Sequence, residues 1–359
     1  CALPILTGTP FYNSVSDLSP LVNIAAGENV LSEGQEFRNR YVTEAQDKPS
    51  FFHCLKGIQP GTKEILNPAR AQELKAILNK WVDYEAPSKE GFPDVKEQNI
   101  EVPMSDKQLA IYDTIAGNLP PWVAEKVKSG LLPNRQELAN LNSYLSGLRQ
   151  TSLGTQGYAQ ENPESPKIQR AFEEFKKILA INPQAKATIY SNFINSGINP
   201  YKALLEKEQI PFGEFSGNVS DKVRQQAVKD YNEGKLRALL LGPSAGEGLD
   251  LKNTALTQIL DPAWNDSKIN QAQARSIRFG SHADLSPEQR NVLVQKFLST
   301  RPQTLGNKLG LTKRQGAVDE YLYNLSKTKS DLSKQFENLL QEETQEKIAK
   351  ISDDVEHFL

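Results

Sequence analysis

The sequence predicts an α/β fold in which a parallel sheet carries helices on both faces. Segments that are typical of strands occur at residues 187–193, 236–242 and 255–261, namely ATIYSNF, LRALLLG and ALTQILD. Helical patterns of about 10–15 residues separate these segments, and that alternation produces βαβ units. Ligands of such sheets bind where the strands end at their carboxyl side. The loops GPSAGEGLD and DPAWND follow two of the strands and are therefore the ones in which a ligand site is expected.

Capping signals and apolar periodicity place the helices around these strands. One helix is predicted to begin at Ser165-Pro166, because proline is favoured in the first turn, and a regular apolar stripe follows it. Two more helices are predicted around 199–208 and from Ser220 to Gly234. From about residue 286 onward the chain is predicted to be helical again, with VDEYLYNLSKTKSDLSKQFENLL as one long amphipathic helix.

The pattern before residue 165 is mainly helical. Ser105 is predicted to cap a helix that ends near Gly117. The other elements predicted here are a buried strand from Leu3 to Leu6, a helix within 64–82 that is broken or begins near Pro68, a surface loop at 85–94, helices within 118–150 joined at Pro120-Pro121 and Pro133, and a polar linker from Thr151 to Ser165.

Composition limits the class of protein. A chain of 359 residues is expected to form two or three domains. No apolar run approaches the roughly 18 residues that a membrane span needs, and no secretory leader is seen, so no membrane partner is expected. Two cysteines and three histidines argue against a zinc cluster or a disulfide framework and favour a reducing compartment, the cytoplasm. The net charge of −2 still allows a local groove for nucleic acid.

The segment GPSAGEGLDLK, residues 242–252, is a candidate ligand loop. Its three glycines let the backbone approach a ligand closely and expose amide groups. A tight turn between a strand and a helix, with no ligand, explains the same residues equally well. Both interpretations stay open on this segment alone.

The segment QAQARSIRFGSH, residues 271–282, carries two arginines. On a helix, Arg275 and Arg278 would share one face, and two permanently charged planar groups side by side suit a phosphate chain. The alternative is a solvated face on which they pair with acidic side chains. His282 has no neighbouring His or Cys and is expected to be a polar residue at a helix end, and Trp264 is expected in the core.

Taken in order, the segments TGTPFYN, ATIYSNF, FSGNVS, GPSAGEGLDL, DPAWND and QAQARSIRFGSH resemble the later motifs of superfamily-two helicase-like motors, and most closely those of Swi/Snf-type DNA translocases. IEVPMSDKQLAIYDTI resembles the family's stretch before its second lobe, and SGLRQTS resembles the Leu-Arg segment that comes after that stretch. The ending Arg-Phe-Gly-Ser-His departs from the usual Arg-Ile-Gly-Gln. It is similar to the form found in large DNA viruses and in poxviral DNA-dependent ATPases, which would allow a nuclear or virion-associated location.

The resemblance implies an organisation for the whole chain. It implies a RecA-like second helicase lobe, together with helical insertions and a C-terminal helical tail. The segments are a remnant of the first RecA-like lobe from the coupling motif onward (1–60), a helical insertion region (61–160), the second RecA-like lobe (161–305) and a helical, acidic tail (306–359). From residue 327 onward, the chain contains eight acidic residues and five lysines.

The resemblance also implies roles for individual residues. Arg275 and Arg278 stand where the family has its arginine fingers, which stabilise charge on the transferring phosphoryl group. The other implied roles are nucleotide binding for Gly246, Gly248, Asp250 and Gln271, DNA phosphate contact for Ser191, Asn192, Ser216, Gly217 and Ser244, and coupling for Thr7, Gly8 and Thr9.

One part of the family pattern is missing. No phosphate loop of the form GxxxxGK[ST] occurs, and the nearest segment, GIQPGTKE at 57–64, has the wrong spacing. No Asp-Glu pair for magnesium follows a strand upstream of Thr7 either. We therefore expect ATP and Mg²⁺ to need a first lobe that lies elsewhere, either because this is a fragment or because the protein is split. Alone, the chain is expected to be inactive.

Two functions remain open. The first is the C-terminal part of an ATP-driven double-stranded DNA translocase, with duplex DNA and the first lobe as partners. The second is a catalytically inactive DNA-binding or scaffold module derived from such a motor. The presence of both arginines and of Gly246 and Gly248 favours the motor, because a scaffold has no use for groups that face a phosphate.

Overall fold

The computed structural model describes residues 14–47, 50–83, 85, 90–159, 161–245, 249–262 and 273–358, with side chains up to residue 341. Its elements, in chain order, are α1 Leu18–Ala26, α2 Gly34–Tyr41, β1 Val42–Asp47, α3 Phe51–Leu55, β2 Gly61–Leu66, α4 Ala71–Trp81, β3 Asp94–Pro103, α5 Asp106–Gly117, α6 Pro121–Ser129, α7 Arg135–Leu153, α8 Pro166–Ile181, β4 Ala187–Tyr190, α9 Asn199–Lys207, β5 Phe212–Phe215, α10 Asp221–Asn232, β6 Ala238–Leu241, β7 Leu256–Ile259, β8 Asn291–Thr300, α11 Leu305–Lys308 and α12 Val318–Phe358.

The chain divides into two compact units. The first contains Cys1–Ser50, Gln59–Ser88 and Ser326–Leu359, and the second contains Phe51–Ile58 and Lys89–Leu325. This division describes packing, and the four functional segments implied by the resemblance remain a prediction. No helix among the described residues has both the length and the apolar character needed to cross a bilayer.

The first unit packs helices against a two-stranded antiparallel sheet. β1 pairs with β2 from Val42↔Leu66 to Asp47↔Gly61. Its core contains Phe37, Leu74 and Phe336, none of them exposed to solvent. The predicted helix within 64–82 was wrong for its first residues, because GTKEIL finds hydrogen-bonding partners in β1. The helix proper begins at Ala71, after Pro68.

The second unit is built on the predicted parallel sheet. Its six strands run in the order β3-β8-β7-β4-β6-β5, and every described pair is parallel. The core side chains on the sheet come from strand residues such as Ile189 and Leu240 and from α8 and α9, which carry Phe175 and Tyr201. The central strands β4 and β6 are buried at every position. The predicted α/β class is confirmed.

The prediction that the chain is helical from residue 286 was wrong at residues 291–300. NVLVQKFLST forms β8, which lies between β3 and β7. Two neighbouring strands satisfy its backbone hydrogen bonds, and its apolar side chains, such as Val292 and Phe297, are buried. The long helix predicted further on is confirmed as α12.

Helices α5 to α7 pack with the start of α12 around a separate core that includes Tyr112, Leu145 and Tyr321. The predicted cap is confirmed, since Ser105 Oγ accepts a hydrogen bond from the Gln108 amide at 3.2 Å. The proline junctions are confirmed by α6, which begins at Pro121, and by α7, which begins after Pro133.

Candidate functional site

The loops that carry the family motifs meet at one edge of the sheet. β4, β5, β6 and β7 are parallel, and their last residues are in register, with Tyr190 beside Leu241 and Ile259, and Phe215 beside Leu241. The residues that follow these strands therefore come together, although they are far apart in the sequence. This is the edge at which α/β proteins bind ligands.

Asp261, which follows β7, is the centre of a hydrogen-bond network at this edge. Its carboxylate is completely buried. Oδ1 accepts hydrogen bonds from Ser191 Oγ at 2.6 Å and from the Asn192 amide at 3.0 Å, and Oδ2 accepts one from Asn192 Nδ2 at 2.8 Å. The Asp261 carboxylate thus fixes the loop after β4. Its negative charge adds to burial in raising the pKa of Tyr190, whose hydroxyl donates to Asn192.

Arg149, from α7, completes this network. Its Nη2 lies 3.3 Å from Asp261 Oδ2 and 3.3 Å from the Pro262 carbonyl oxygen, and its guanidinium lies 5.0 Å from the centre of the Phe193 ring. Sequence reasoning assigned no role to Asp261 or Arg149, although both lie in quoted motifs, DPAWND and SGLRQTS. The available signal was an acidic residue directly after a buried strand.

Two predicted DNA-contact residues point inward. Ser191 and Ser216 are buried completely, and their hydroxyl groups bond to Asp261 and Glu214 respectively. Ser216 Oγ also accepts a hydrogen bond from the Asn218 amide at 3.2 Å, which shapes the loop after β5. Gly217 and Ser244 are exposed, and Asn192 is half-buried. The serine hydroxyls therefore support the loops, and the accessible surface is formed by their neighbours.

The loop after β6 begins with a close approach between backbones. The Gly242 amide donates to the Phe215 carbonyl at 3.0 Å, and a Cβ at position 242 would lie 3.0 Å from both Ile194 Cδ1 and Ser216 Cβ. A side chain there would therefore fit only if the Ile194 or Ser216 side chain moved by a few tenths of an ångström. The predicted nucleotide and coupling residues Gly246, Gly248, Gln271, Thr7, Gly8 and Thr9 lie outside the described residues, as does Trp264.

The arginine segment is only partly helical where it is described. Residues 273–276 form a helical turn, which includes the half-buried Arg275, whereas Arg278 lies beyond its end. The prediction that both arginines lie on one helix face is therefore not met. The chain then forms a turn that is closed by a hydrogen bond from the Ser281 amide to the Arg278 carbonyl at 3.0 Å, with Gly280 at φ 71°.

The Arg278 guanidinium is accessible and weakly paired. Its side chain is 41% exposed, and Nη1 lies 4.0 Å from Oδ1 of Asp250, which is 67% exposed. A pair at this distance and exposure contributes little to stability. The contact brings Arg278 beside the glycine-rich loop that follows β6, and the guanidinium can still bind an anion.

Arg278 presents an accessible cationic group at this edge of the sheet. The Arg278 guanidinium carries N–H donors that suit phosphate oxygens. Across the described ranges, no group of three His, Cys, Asp or Glu side chains is arranged to hold a metal.

His282 is a buried structural residue, which corrects its prediction as a polar helix end. Nε2 lies 2.9 Å from the Thr254 carbonyl oxygen, and Nδ1 lies 2.9 Å from Ser281 Oγ. Burial, and to a smaller extent the charge of Lys186, lowers the pKa of the imidazole below its ordinary value. The neutral ring therefore connects the arginine segment to the start of β7.

Because the pKa of His282 is lower in the folded chain, protons bind the unfolded chain more readily. Stability is thus expected to decrease as the pH falls below about 6.5, until the pH reaches the pKa of the folded state. Melting temperatures of the wild type and of His282→Asn, measured between about pH 7.5 and 5.5, test this. Over this range, the melting temperature of the wild type should fall by more than that of His282→Asn. His53→Asn is the control variant. Parallel pH profiles for the wild type and His282→Asn would contradict it.

Comparison with known proteins gives two family matches. Residues 4–155 match the SNF2-related domain, and residues 170–280 match the helicase conserved C-terminal domain. Protein L538 of Acanthamoeba polyphaga mimivirus, whose name places it among ATP-dependent RNA helicases, is 31% identical over 345 residues, which cover 94% of this chain and 69% of the viral protein. The termination factor NPH-I homolog of African swine fever virus is 27% identical over 179 residues, or 48% of this chain and 25% of that protein.

The fold and these matches define a helicase-type protein. The chain belongs to the SNF2-related helicase family. It spans 33% and 54% of two further mimivirus relatives, R350 and R563. Among solved structures, the Sulfolobus solfataricus SWI2/SNF2 ATPase core in complex with dsDNA is 22% identical, with 82% of this chain and 57% of that chain covered and a TM-score of 0.44. A likeness at that level adds nothing to the sequence matches.

Proposed function

We propose that this chain is the C-terminal part of an ATP-driven motor that moves along double-stranded DNA. The observation that carries the proposal is the placement of Arg278, whose accessible guanidinium lies beside Asp250 of the glycine-rich loop. Family membership supports ATP as the nucleotide. The phosphate loop and the magnesium carboxylates are supplied by a first lobe, joined to this chain or separate, and the two parts together are called the complete motor below.

In the complete motor, Arg275 and Arg278 act as arginine fingers. The γ-phosphoryl group gains charge on its equatorial oxygens during transfer, and a guanidinium that meets those oxygens lowers the barrier. Arginine suits this role because it stays charged and can form two parallel hydrogen bonds. Gly246, Gly248, Asp250 and Gln271 contribute the nucleotide-facing part of this lobe, and Thr7, Gly8 and Thr9 couple the two lobes.

The loops after β4, β5 and β6 form half of the DNA track. Gly217 and Ser244 contact the phosphates through backbone amides and the Ser244 hydroxyl, and Asn192 does so through the second hydrogen of its Nδ2. Ser191 and Ser216 hold the loops in shape through Asp261 and Glu214. Contacts of this kind position a duplex and carry little sequence information. Binding is therefore weak, independent of sequence and sensitive to salt.

A catalytically inactive DNA-binding or scaffold module is the alternative. The observation in its favour is that this sequence contains no phosphate loop of the form GxxxxGK[ST]. Under that function Arg278 would have no phosphate to meet. The two functions differ in whether a first lobe makes the chain active.

Nucleic-acid-stimulated ATP turnover separates these functions. This chain alone should hydrolyse no ATP above a buffer blank, because it contains no phosphate-binding loop. The complete motor should hydrolyse ATP, and duplex DNA should stimulate it more than single-stranded DNA or RNA does. The first lobe alone is the control.

Three outcomes would count against the proposal. Turnover by this chain alone that Arg278→Ala abolishes would mean that it holds a whole nucleotide site. DNA binding without turnover in the complete motor would favour the inactive module. Stimulation by RNA but not by duplex DNA would replace the proposed track with an RNA track.

A further inference from the structure

A turn just before β3 packs against the residue that follows Arg278. The Gly91 carbonyl accepts a hydrogen bond from the Gly280 amide at 2.8 Å. The rings of Phe92 and Phe279 meet edge to face, with centroids 5.9 Å apart and planes at 70°. A Cβ placed on Gly91 would lie only 2.4 Å from Phe279 Cε2, so the Phe279 ring rests directly on the Gly91 backbone.

The turn is itself fixed to the sheet. β3 pairs with β8 over its whole length, from Asp94↔Asn291 to Pro103↔Thr300, and the Asp94 amide donates to the Arg290 carbonyl at 2.8 Å. The turn at residues 90–92 therefore has a rigid base. Through it, the chain just after Arg278 is held to the edge of the sheet.

Core packing does not account for the aromatic pair. Phe279 is 73% exposed and Phe92 is 44% exposed, so the contact buries little apolar surface. Gly91 has φ 77°, in the left-handed region that favours glycine, and the absence of a side chain also makes room for the Phe279 ring. The phenylalanine stands at the position where Arg-Phe-Gly-Ser-His departs from the more usual Arg-Ile-Gly-Gln.

We propose that the contact between Gly91 and Phe279 is a positioning device that aims Arg278 at the transferring phosphate. Arg278 lies after the end of a helical turn, so the helix does not fix its direction. The contacts at Phe279 and Gly280 hold the backbone immediately after it. A misplacement of about 1 Å at a group that contacts the reacting atoms can reduce the rate by about 100-fold. This inference rests on the proposed role of Arg278, and Gly91 and Phe279 act only through that residue.

The test uses the complete motor with Gly91→Ala and Phe279→Ala. We expect each variant to lower kcat for ATP by about tenfold or more, with KM for duplex DNA unchanged. Phe279→Tyr should keep most of the activity, because the ring contact survives. Gly130→Ala is the matched control, because Gly130 has φ 73° with no atom within 4 Å of an added Cβ. It carries the same backbone strain away from the site and should leave kcat unchanged.

A double-mutant cycle with Arg278→Ala separates positioning from general damage. If Phe279 acts through Arg278, adding Phe279→Ala to Arg278→Ala should reduce turnover no further. The proposal would be overturned if the reductions in turnover caused by Phe279→Ala and Arg278→Ala multiply in the double variant. It would also be overturned if kcat is unchanged in Phe279→Ala while Arg278→Ala is inactive. Full turnover by Arg278→Ala would instead overturn the proposed function, so the two failures can be distinguished.

Discussion

Replacing Arg278 by alanine should lower ATP turnover of the complete motor by about 10³-fold or more, the effect of removing an arginine finger in other phosphoryl-transfer enzymes. The loss should appear in kcat, because the guanidinium contacts charge that develops only in the transition state. Arg275→Ala should also lower turnover by orders of magnitude. Duplex DNA binding should persist in both variants, since the track is formed by the loops after β4, β5 and β6.

The same Arg278→Ala change should barely affect the stability of this chain. The side chain is 41% exposed and its contact with Asp250 is 4.0 Å long, so the expected cost is below about 1 kcal/mol. Arg170→Ala is a suitable control, because the Arg170 side chain is 51% exposed and also pairs with a carboxylate, that of Glu174, away from the site. A large drop in the melting temperature of Arg278→Ala, with turnover intact, would make Arg278 a structural residue.

Replacing Asp261 by alanine should destabilise the second unit by about 3–5 kcal/mol. The change removes the acceptor of Ser191 Oγ, of two Asn192 groups and of Arg149, whose side chain is only 13% exposed. A buried guanidinium without its carboxylate carries the full cost of desolvation. The loop after β4 would also lose its shape, so DNA binding should weaken as well.

Denaturant unfolding of this chain measures that cost. The free energy of unfolding of Asp261→Asn should lie between those of the wild type and Asp261→Ala, because the asparagine keeps one acceptor but loses the charge. Asp221→Ala is the control, since Asp221 is 83% exposed and its pair with Arg224 lies on a helix surface. If Asp261→Ala unfolds at the same denaturant concentration as Asp221→Ala, the network at the sheet edge contributes nothing to stability.

The parts of the fold that could be predicted are those that local patterns determine. β4, β6 and β7 are short strands that are buried at each residue. β3 could not be found in this way, because DVKEQNIEVP is mostly polar and only Ile100 and Val102 are buried. It is a strand because β8, far along the chain, offers a parallel partner. Pairing of that kind outweighs local propensity.

The site was predictable to the same extent. The order of the motifs indicated which loops follow the strands, and the parallel sheet then brings those loops together. The burial of Ser191 could not be predicted, because its partner Asp261 lies 70 residues away and the hydrogen bond depends on the register between β4 and β7. The same holds for Gly91 and Phe279, which meet only because β3 joins the sheet.

The most direct test of the central claim is the trapping of ADP with aluminium fluoride, a mimic of the transferring phosphoryl group, by the complete motor on duplex DNA. Arginine fingers bind the transition state more strongly than the ground state, so such an analogue reports their action. The wild type should form a long-lived complex, and Arg278→Ala should still bind ADP but fail to retain the aluminium fluoride. Equal retention by the wild type and Arg278→Ala would contradict the account.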